Sequence, residues 1–386
     1  MRMLTIEVPN RAKRYNHITP PKTALKNLGK STGSGPIFSN VKGHCEAIGF
    51  TSFYNTFHIE IYSILPYTCT IRIILKNGGE NMPYDLTEPL VIGIGSRALF
   101  NLEEENKIYE EQGVEAYEKY QVDHENVILQ KGSAFQLVKA FLKLNTLQEK
   151  RLVEVIVMSR NSPNTSLRIF NSIKDYDLDI TRAALTGGAE IAPYLKAFKT
   201  DLFLSALETD VKQAVDSDIA AGMILPRNPL VDPRAKIEQI RIAFDGDAVL
   251  FAAESERIYK KQGMQAFMDN EESKANIPLQ KGPFANFLLT IAHIQSLFAD
   301  KDKAPIRTAL VTSRNAPAHE RAIKTLREWG VRVDEAFFLG GVSKTDVLSA
   351  FGAHIFFDDQ HIHADPASEV VPSAVVPYRS GDNPEE

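Results

Sequence analysis

The stretch RIAFDGDAVLFAAES, residues 241–255, is a short apolar run that breaks at two carboxylates and then resumes. Its first part has β propensity and leads directly into Asp245-Gly246-Asp247. Alternate side chains of a strand point to the same side, so Asp245 and Asp247 would lie together where the strand ends. Two such carboxylates can hold a divalent cation, or can act as a nucleophile and an acid–base group. An acidic turn of this kind is also common as a solvated connection.

The composition is that of an ordinary globular protein. Of 386 residues, 44% are hydrophobic and 24% are charged, and the length corresponds to about two or three domains. The net charge of −5 gives no reason to expect nucleic acid or an anionic membrane as a partner. The start has no signal-peptide core, and charged residues and proline interrupt the apolar run 58–75, so no membrane span is predicted. Cys45 and Cys69 are the only cysteines, which favours a reducing cytoplasm over a disulfide framework.

Residues 1–81 differ in composition from the rest of the chain. They carry 10 Lys and Arg against 4 Asp and Glu, whereas the remaining residues are net acidic. Residues 1–35 are rich in Pro, Lys, Asn, Ser and Gly, which predicts disorder, while residues 48–75 have the pattern of strands. We therefore expect 1–81 to be an N-terminal extension that is dispensable for function, with Met82 as an alternative start.

From residue 90 onward the chain contains an internal duplication at an offset of about 150 residues. The matching segments are IYEEQGVEAY at 108–117 with IYKKQGMQAF at 258–267, LQKG at 129–132 with LQKG at 279–282, and VMSRNSP at 157–163 with VTSRNAP at 311–317. Each copy alternates strand-like and helical segments, which predicts an α/β fold with a parallel sheet and helices on both faces. The proline-rich segment 225–233 is the predicted linker, and the copies are therefore assigned to 82–232 and 233–386.

Polar residues stand at the end of each predicted strand in the second copy. They are Asp245 and Asp247, Thr312, Lys344 after a Gly-Gly pair, and Asp358-Asp359. Ligands of doubly wound sheets bind outside the carboxyl ends of the strands, so these side chains are expected to converge. An acidic cluster with one lysine and no His or Cys ligands indicates Mg²⁺ on oxygen ligands, with a phosphate as the remaining partner.

The first copy supplies an internal comparison. At the six positions of that polar set it has Ile94, Ser96, Met158, Ile191, Ser205 and Ala206. Core packing cannot explain the set, because a structural role would be needed in both copies, and a function in the second copy is favoured. Arg314, in contrast, has an equivalent in Arg160, and its presence in both copies favours a structural role.

The polar set resembles the signature of the haloacid dehalogenase-like phosphatase superfamily. Phrases such as FDGDAVLF at 244–251 and HIFFDDQ at 354–360 resemble one member family, the cytosolic 5′-nucleotidases of type I, and the resemblance covers about residues 90–380. It implies duplicated Rossmann-like, haloacid dehalogenase-like parallel sheets with a helical cap at about 254–299. It also implies a cytoplasmic, Mg²⁺-dependent enzyme that hydrolyses nucleoside 5′-monophosphates.

The resemblance also implies a role for each acid. Asp245 would attack the phosphorus and form an aspartyl-phosphate, while Asp247 would protonate the leaving 5′ oxygen and then activate water. Mg²⁺ would be bound by Asp245, the backbone carbonyl of Asp247 and an acid of the pair Asp358 and Asp359. Which acid of that pair binds the metal directly is left open.

Three further residues would contact the phosphoryl group by the same resemblance. Thr312 would hydrogen-bond its oxygens, with Ser313 as the alternative if the strand ends one residue later. Lys344 would neutralise the charge that these oxygens carry.

The first copy is expected to be a catalytically empty lobe. It would contribute to substrate binding, to a nucleotide effector site or to contacts in a homo-oligomer. Its candidates for contacting substrate or effector are Arg97, Asn161 and Arg168. Two alternatives to a nucleotidase stay open, namely a phosphatase of another small phosphate ester and a non-catalytic nucleotide sensor.

Overall fold

The computed structural model describes residues 84–226, 237–300 and 304–382, together with two strands nearer the N-terminus. These strands, β1 Phe57–Leu65 and β2 Thr68–Leu75, form an antiparallel hairpin inside the segment predicted to be strand-like. The hairpin belongs to a unit, Met1–Tyr84, that is distinct from the compact unit Asp85–Glu386. The predicted disorder of residues 1–35 and most of the predicted linker lie outside the described residues.

Strands and helices alternate through both copies, as predicted from the sequence. The first copy contains β3 Leu90–Gly95, α1 Ser96–Leu99, β4 Phe100–Asn101, α2 Glu103–Gln112, α3 Val114–Asp123, β5 Gln130–Lys131, α4 Phe135–Lys143, β6 Val153–Ser159, α5 Leu167–Asp175, β7 Arg182–Leu185, α6 Ala192–Ala197, β8 Leu202–Ser205, α7 Glu208–Asp216 and β9 Ala220–Ile224. The second contains β10 Ile240–Phe244, α8 Glu254–Ser273, α9 Ala285–Ser296, β11 Ile306–Thr312, α10 His319–Glu328, β12 Glu335–Phe338, α11 Lys344–Phe351, β13 Ile355–Asp358, α12 His361–Ser368 and β14 Ser373–Val375. Short 3₁₀ helices lie at Leu144–Thr146 and Pro163–Thr165.

Both copies contribute to one ten-stranded sheet. Its strand order is β12-β11-β10-β13-β14-β9-β8-β3-β6-β7, so the two five-stranded halves repeat the same order. All pairs within a half are parallel, whereas β14 and β9 pair antiparallel at the junction. The α/β prediction is confirmed, and the antiparallel junction makes the sheet mixed. Because of this junction, the carboxyl ends of the two halves face opposite edges of the sheet.

The junction is close-packed. Ala374 of β14 lies opposite Ile224 of β9, and a Cβ added at Gly222 would come within 2.9 Å of the Ala374 Cβ. Glycine is therefore needed at position 222 for the last strands to approach each other. One cluster of buried apolar side chains continues across both copies, from Ile224 to Phe357 and Ala374 among others. The two copies consequently share one sheet and one of its apolar clusters, while a further cluster lies within each copy.

The segment 254–299, predicted as a cap, consists of two helices with different surroundings. In α9, Phe287, Leu288 and Ile291 are almost fully buried, and the Phe287 ring packs 6.2 Å from that of Phe244 in β10. In α8 the backbone bends at Gly263, where φ is 83°, and few of its residues are buried. Thus α9 is part of the core, and α8 is the more exposed helix.

Among the described residues, no helix has the length and apolar character needed to cross a bilayer.

Candidate active site

The predicted catalytic residues of the second copy meet at the carboxyl ends of three neighbouring strands. The strand β10 lies between β11 and β13, and the Asp245 N–H donates to the Phe357 carbonyl at 2.8 Å just beyond the end of β10. Thr312 ends β11, Asp358 ends β13 and Lys344 begins α11. The side chains of these residues are buried. Residues that are far apart in the sequence thus form one buried polar group at a single sheet edge.

Lys344 lies between two of the acids. Its Nζ donates to Asp245 Oδ1 at 2.7 Å and to Asp358 Oδ2 at 2.6 Å. The helix begins at this residue because Ser343 caps it, with the Thr345 N–H donating to Ser343 Oγ at 3.3 Å. Burial alone would lower the pKa of Lys344, but the charges of Asp245 and Asp358 outweigh it and raise that pKa. The lysine is therefore held as a cation at the centre of the site.

Three carboxylates beside this lysine form a group that could hold a metal ion. Asp245, Asp358 and Asp359 each offer an oxygen within 4.8 Å of the others. Asp359 Oδ1 is buried and has no hydrogen-bond partner among the residues that the structure describes. A buried carboxylate oxygen without a partner is costly, and an all-oxygen donor set suits a hard divalent cation. The residues present therefore fit such a cation.

Burial raises the pKa values of all three acids. The pKa of Asp245 rises from 3.8 to about 6, because burial and the nearby Asp358 outweigh the attraction of Lys344. Burial also raises the pKa of Asp358, and burial together with the charge of Glu256 raises the pKa of Asp359 well above 3.8. A bound cation would oppose these shifts, since it favours the ionised form of each carboxyl group.

Asp247 is bound by an arginine and is not part of this acidic group. Arg314 Nε and Nη2 donate to Asp247 Oδ2 and Oδ1 at 2.8 and 2.6 Å. Strand geometry ends at Phe244, and Ala248 has a φ of 62°, which is rare for a residue with a side chain. The turn therefore separates the two acids, so that Asp245 joins Lys344 while Asp247 joins Arg314. The backbone carbonyl of Asp247 stays a predicted metal ligand.

Arg314 also reaches a buried acid of α8. Its Nη1 donates to Glu271, which in addition accepts from Ser255 Oγ at 2.8 Å and from Arg321 Nη1 at 2.9 Å. Although burial opposes the effect, Arg314 and Ser255 lower the pKa of Glu271. Glu271 of α8 thus holds Arg314, and Arg314 in turn holds the carboxylate of Asp247.

Two site residues were missed from the sequence. The sequence match with Arg160 predicts a structural role for Arg314, but the structure places Arg314 at the position of Asn161, whose N–H donates to Ser159 Oγ as the Arg314 N–H donates to Thr312 Oγ1. Arg160 has a different partner, since its Nε donates to Asp210 at 2.7 Å. The position equivalent to Glu271 in the first copy is Gln121. That change from amide to acid is the signal that would have identified Glu271 on a position-by-position comparison of the copies.

The two hydroxyl candidates differ in exposure. Thr312 is almost fully buried, and its Oγ1 accepts from the Arg314 N–H at 3.3 Å. Ser313 is exposed and lies beyond the end of β11. A Cβ added at Gly246 would lie 3.0 Å from Thr312 Oγ1, so glycine keeps this hydroxyl close to the turn between the two acids. The buried Thr312 is the better placed of the two for a phosphoryl group at Asp245.

The first copy has a cavity of about 390 Å³ at the opposite edge of the sheet. Arg97 and Asn161 line it, and the buried Arg97 Nε has no hydrogen-bond partner among the described residues. Arg168 does not line it, because this side chain is buried in an ion pair with Glu105 at 2.6 Å. The structure therefore brings two of the three candidates of the first copy together, away from Asp245.

Comparisons with known proteins place this chain in a family. The family model for 5′-nucleotidase matches residues 82–383. The human protein named Cytosolic 5′-nucleotidase 1B is 38% identical over 291 residues, which cover 73% of this chain and 47% of that relative. The chain thus spans about half the length of this curated relative. No solved structure gives a significant match. The matched family model covers both halves of the sheet and every acid of the site, and the chain belongs to the 5′-nucleotidase family.

Proposed function

We propose that the chain hydrolyses nucleoside 5′-monophosphates to nucleoside and phosphate in the cytoplasm. The observation that carries the proposal is the buried group of Asp245, Lys344 and Asp358, with distances of 2.7 and 2.6 Å from the lysine, in a chain of the 5′-nucleotidase family. Such a group offers a carboxylate nucleophile and a fixed positive charge for an anionic substrate. The human relative, whose name describes a cytosolic 5′-nucleotidase, supports both the reaction and the location.

In the first step an oxygen of Asp245 forms a bond to phosphorus, and the bond from phosphorus to the 5′ oxygen breaks. Lys344 already engages Oδ1 of Asp245, so we assign the attack to Oδ2. Asp247 supplies the proton that the leaving 5′ oxygen needs, and Arg314 fixes the direction of its carboxyl group. Thr312 Oγ1 and Lys344 Nζ hydrogen-bond the phosphoryl oxygens.

In the second step water cleaves the aspartyl-phosphate. Asp247, now deprotonated, takes a proton from the water, and the Asp245 carboxylate leaves as phosphate is released. Asp245, Asp358 and Asp359 would hold Mg²⁺, which supplies positive charge between the anionic nucleophile and the anionic substrate. Burial of Asp245 and Thr312 excludes bulk water from the reacting atoms.

A substrate panel tests this function. Released phosphate would be measured with AMP, CMP, IMP and dTMP, and with sugar phosphates and para-nitrophenyl phosphate, all in the presence of Mg²⁺. We expect kcat/KM to be higher for at least one nucleotide than for every other ester. A higher value for a sugar phosphate would favour the alternative phosphatase, and nucleotide binding without turnover would favour the sensor.

The raised pKa values predict how Mg²⁺ acts on stability. Because the pKa of Asp245 is about 6 in the folded chain and 3.8 ordinarily, the metal-free fold loses stability as pH rises between these values. Bound Mg²⁺ removes this loss, whereas protons compete with it at lower pH. We therefore expect Mg²⁺ to raise the unfolding temperature more at about pH 7.5 than at about pH 5.5.

Differential scanning fluorimetry with Mg²⁺ or EDTA at both pH values checks this expectation. The variant Asp346→Asn is the control, because Asp346 is exposed in the first turn of the helix that Lys344 begins. It should show the same shifts as the unmodified chain. Equal shifts at the two pH values would contradict the assignment of the three buried acids to the metal.

For the first copy we propose an effector role for the 390 Å³ cavity instead of a substrate role. Arg97 and Asn161 line this cavity at the sheet edge opposite to Asp245, which places them away from the bound substrate. The variants Arg97→Ala and Asn161→Ala should keep the kcat and KM of the unmodified chain and lose any response to a second, added nucleotide. An increased KM without effector would restore the substrate role. Homo-oligomer formation stays a prediction.

A further inference from the structure

The segment that follows β14, residues 376–382, carries Tyr378 into the acidic site. The Tyr378 hydroxyl donates to Asp359 Oδ2, and it lies 3.0 and 3.1 Å from the two carboxylate oxygens of Glu256 in α8. Gln360 Nε2 donates to Glu256 Oε1 at 2.9 Å, which ties Glu256 to the residue after Asp359. One hydroxyl group thus bridges a candidate metal ligand and a buried acid of α8.

Asp359 depends on this hydroxyl more than its neighbours do. Asp245 and Asp358 are each bonded to Lys344, and Asp358 Oδ1 also accepts from the Gln360 N–H at 2.9 Å. Among the described residues, the Asp359 side chain accepts a hydrogen bond from the Tyr378 hydroxyl at Oδ2, and its Oδ1 has no partner. The bond to Oδ2 therefore fixes the rotation of the carboxyl group and leaves Oδ1 available to the cation.

The same segment is anchored on the first copy. The Ser380 N–H and Oγ donate to Asp216 at 2.7 and 2.9 Å, and Lys212 Nζ donates to Ser380 Oγ at 2.6 Å. Arg379 also forms an ion pair with Asp218 at 3.1 Å. Asp216 is the last residue of α7. Because the halves are antiparallel, the end of α7 lies at the same sheet edge as the acids of the second copy.

We propose that Tyr378 is a positioning residue for Asp359, and that the first copy serves the active site by anchoring the segment that carries Tyr378. The proposal rests on the proposed function, since Asp359 matters there as a metal ligand. Under this proposal the first copy, which lacks the acids of the second, supports the active site of the second copy. The residues involved in the anchor, Asp216 and Asp218, are distant from the cavity edge of the first copy, so this task is separate from effector binding.

The variant Tyr378→Phe tests the positioning role. It removes one hydroxyl and keeps the ring over which Lys260 Nζ lies at 5.6 Å. We expect the Mg²⁺ dissociation constant, measured by isothermal titration calorimetry without substrate, to rise about 10- to 100-fold. Turnover should recover when Mg²⁺ is raised to saturation, which a merely structural defect would not show.

The control is Tyr176→Phe in the first copy, which removes a hydroxyl that donates to the Leu129 carbonyl at 2.8 Å. It should leave the Mg²⁺ dissociation constant unchanged. A dissociation constant for Tyr378→Phe within about twofold of the unmodified chain would overturn the positioning role. Because no nucleotide is present, this result is independent of whether the chain is a nucleotidase. Absence of any Mg²⁺ binding by the unmodified chain would overturn the metal site together with this inference.

The variant Asp216→Ala tests the anchor. Its matched control is Asp175→Ala, since Asp175 is exposed and is likewise the last residue of a helix of the first copy, α5. We expect weaker Mg²⁺ binding in Asp216→Ala and unchanged binding in Asp175→Ala. If Asp216→Ala binds Mg²⁺ as the unmodified chain does, the first copy does not support the site through this segment.

Discussion

Replacement of Asp245 by asparagine is expected to abolish turnover while the fold is retained. An amide cannot attack phosphorus, and loss of a covalent nucleophile typically costs on the order of 10⁴- to 10⁶-fold in kcat. Stability should not fall in the metal-free chain, because the pKa of Asp245 is raised to about 6 and the ionised group is therefore costly to the fold at neutral pH. The amide oxygen can still accept from Lys344.

Phosphate release and thermal unfolding of Asp245→Asn check both expectations. The exposed Asp346→Asn is the matched control, since it makes the same chemical change two residues from Lys344 and outside the site. It should behave as the unmodified chain in both measurements. Substantial turnover by Asp245→Asn with an intact fold would exclude the covalent mechanism.

The part of the site that the sequence predicted consists of residues at strand ends. Asp245, Thr312, Asp358 and Lys344 follow or end elements whose parallel arrangement can be inferred from alternating helices and strands. Parallel strands in one half of a sheet bring their carboxyl ends to one edge, so convergence follows from the order of elements alone. The alignment of the two copies then indicates that the strand ends of the second copy carry the acids and that those of the first copy do not.

The parts of the fold and of the site that the sequence does not predict depend on contacts between distant segments. The strands β9 and β14 are short, and their sequences carry no pattern that identifies the strand each one pairs with. Neither the continuous sheet nor its antiparallel centre could therefore be predicted. Tyr378 lies outside the duplicated segments and contacts Glu256, more than a hundred residues earlier. The role of Arg314 does not follow from the sequence, because the matching Arg160 lies one position before Asn161, the structural equivalent of Arg314. Partner identity is a property of the folded chain and not of the aligned position.

Replacement of Arg314 by methionine is the second change for which we expect a large effect. Arg314 is 3% exposed and donates to both Asp247 and Glu271. Removal of the arginine leaves two carboxylates without their main cation, and breaking a buried ion pair typically costs about 3–5 kcal/mol. Methionine keeps apolar contact with the rings of Phe251 and Phe267, over which the guanidinium lies at 5.7 and 5.5 Å. The loss would therefore come from the charge and not from the packing.

Turnover should also fall in Arg314→Met, because Asp247 loses the two hydrogen bonds that direct it. Misplacement of a catalytic group by about an ångström can reduce the rate on the order of 100-fold. The Mg²⁺ dissociation constant should change little, since the hydrogen bonds of Arg314 in the described part of the chain do not reach Asp245, Asp358 or Asp359. At Asp247 they reach the carboxylate and not the backbone carbonyl that is the predicted ligand. This combination separates Arg314 from Tyr378, whose loss is expected to weaken Mg²⁺ binding.

The first copy provides the control, Arg160→Met, at the arginine of the matching Ser-Arg-Asn sequence, one position before Asn161, which is the structural equivalent of Arg314. Arg160 is about a third exposed and pairs with Asp210, so its loss should reduce the unfolding temperature less than the loss of Arg314. It should leave kcat and Mg²⁺ binding unchanged, because residues 95–97 of the first copy, which correspond to residues 245–247, include no acid. If both arginine variants lose activity in proportion to their loss of stability, Arg314 acts only on the fold. If Arg314→Met alone loses kcat, Arg314 acts in catalysis through its partner, Asp247.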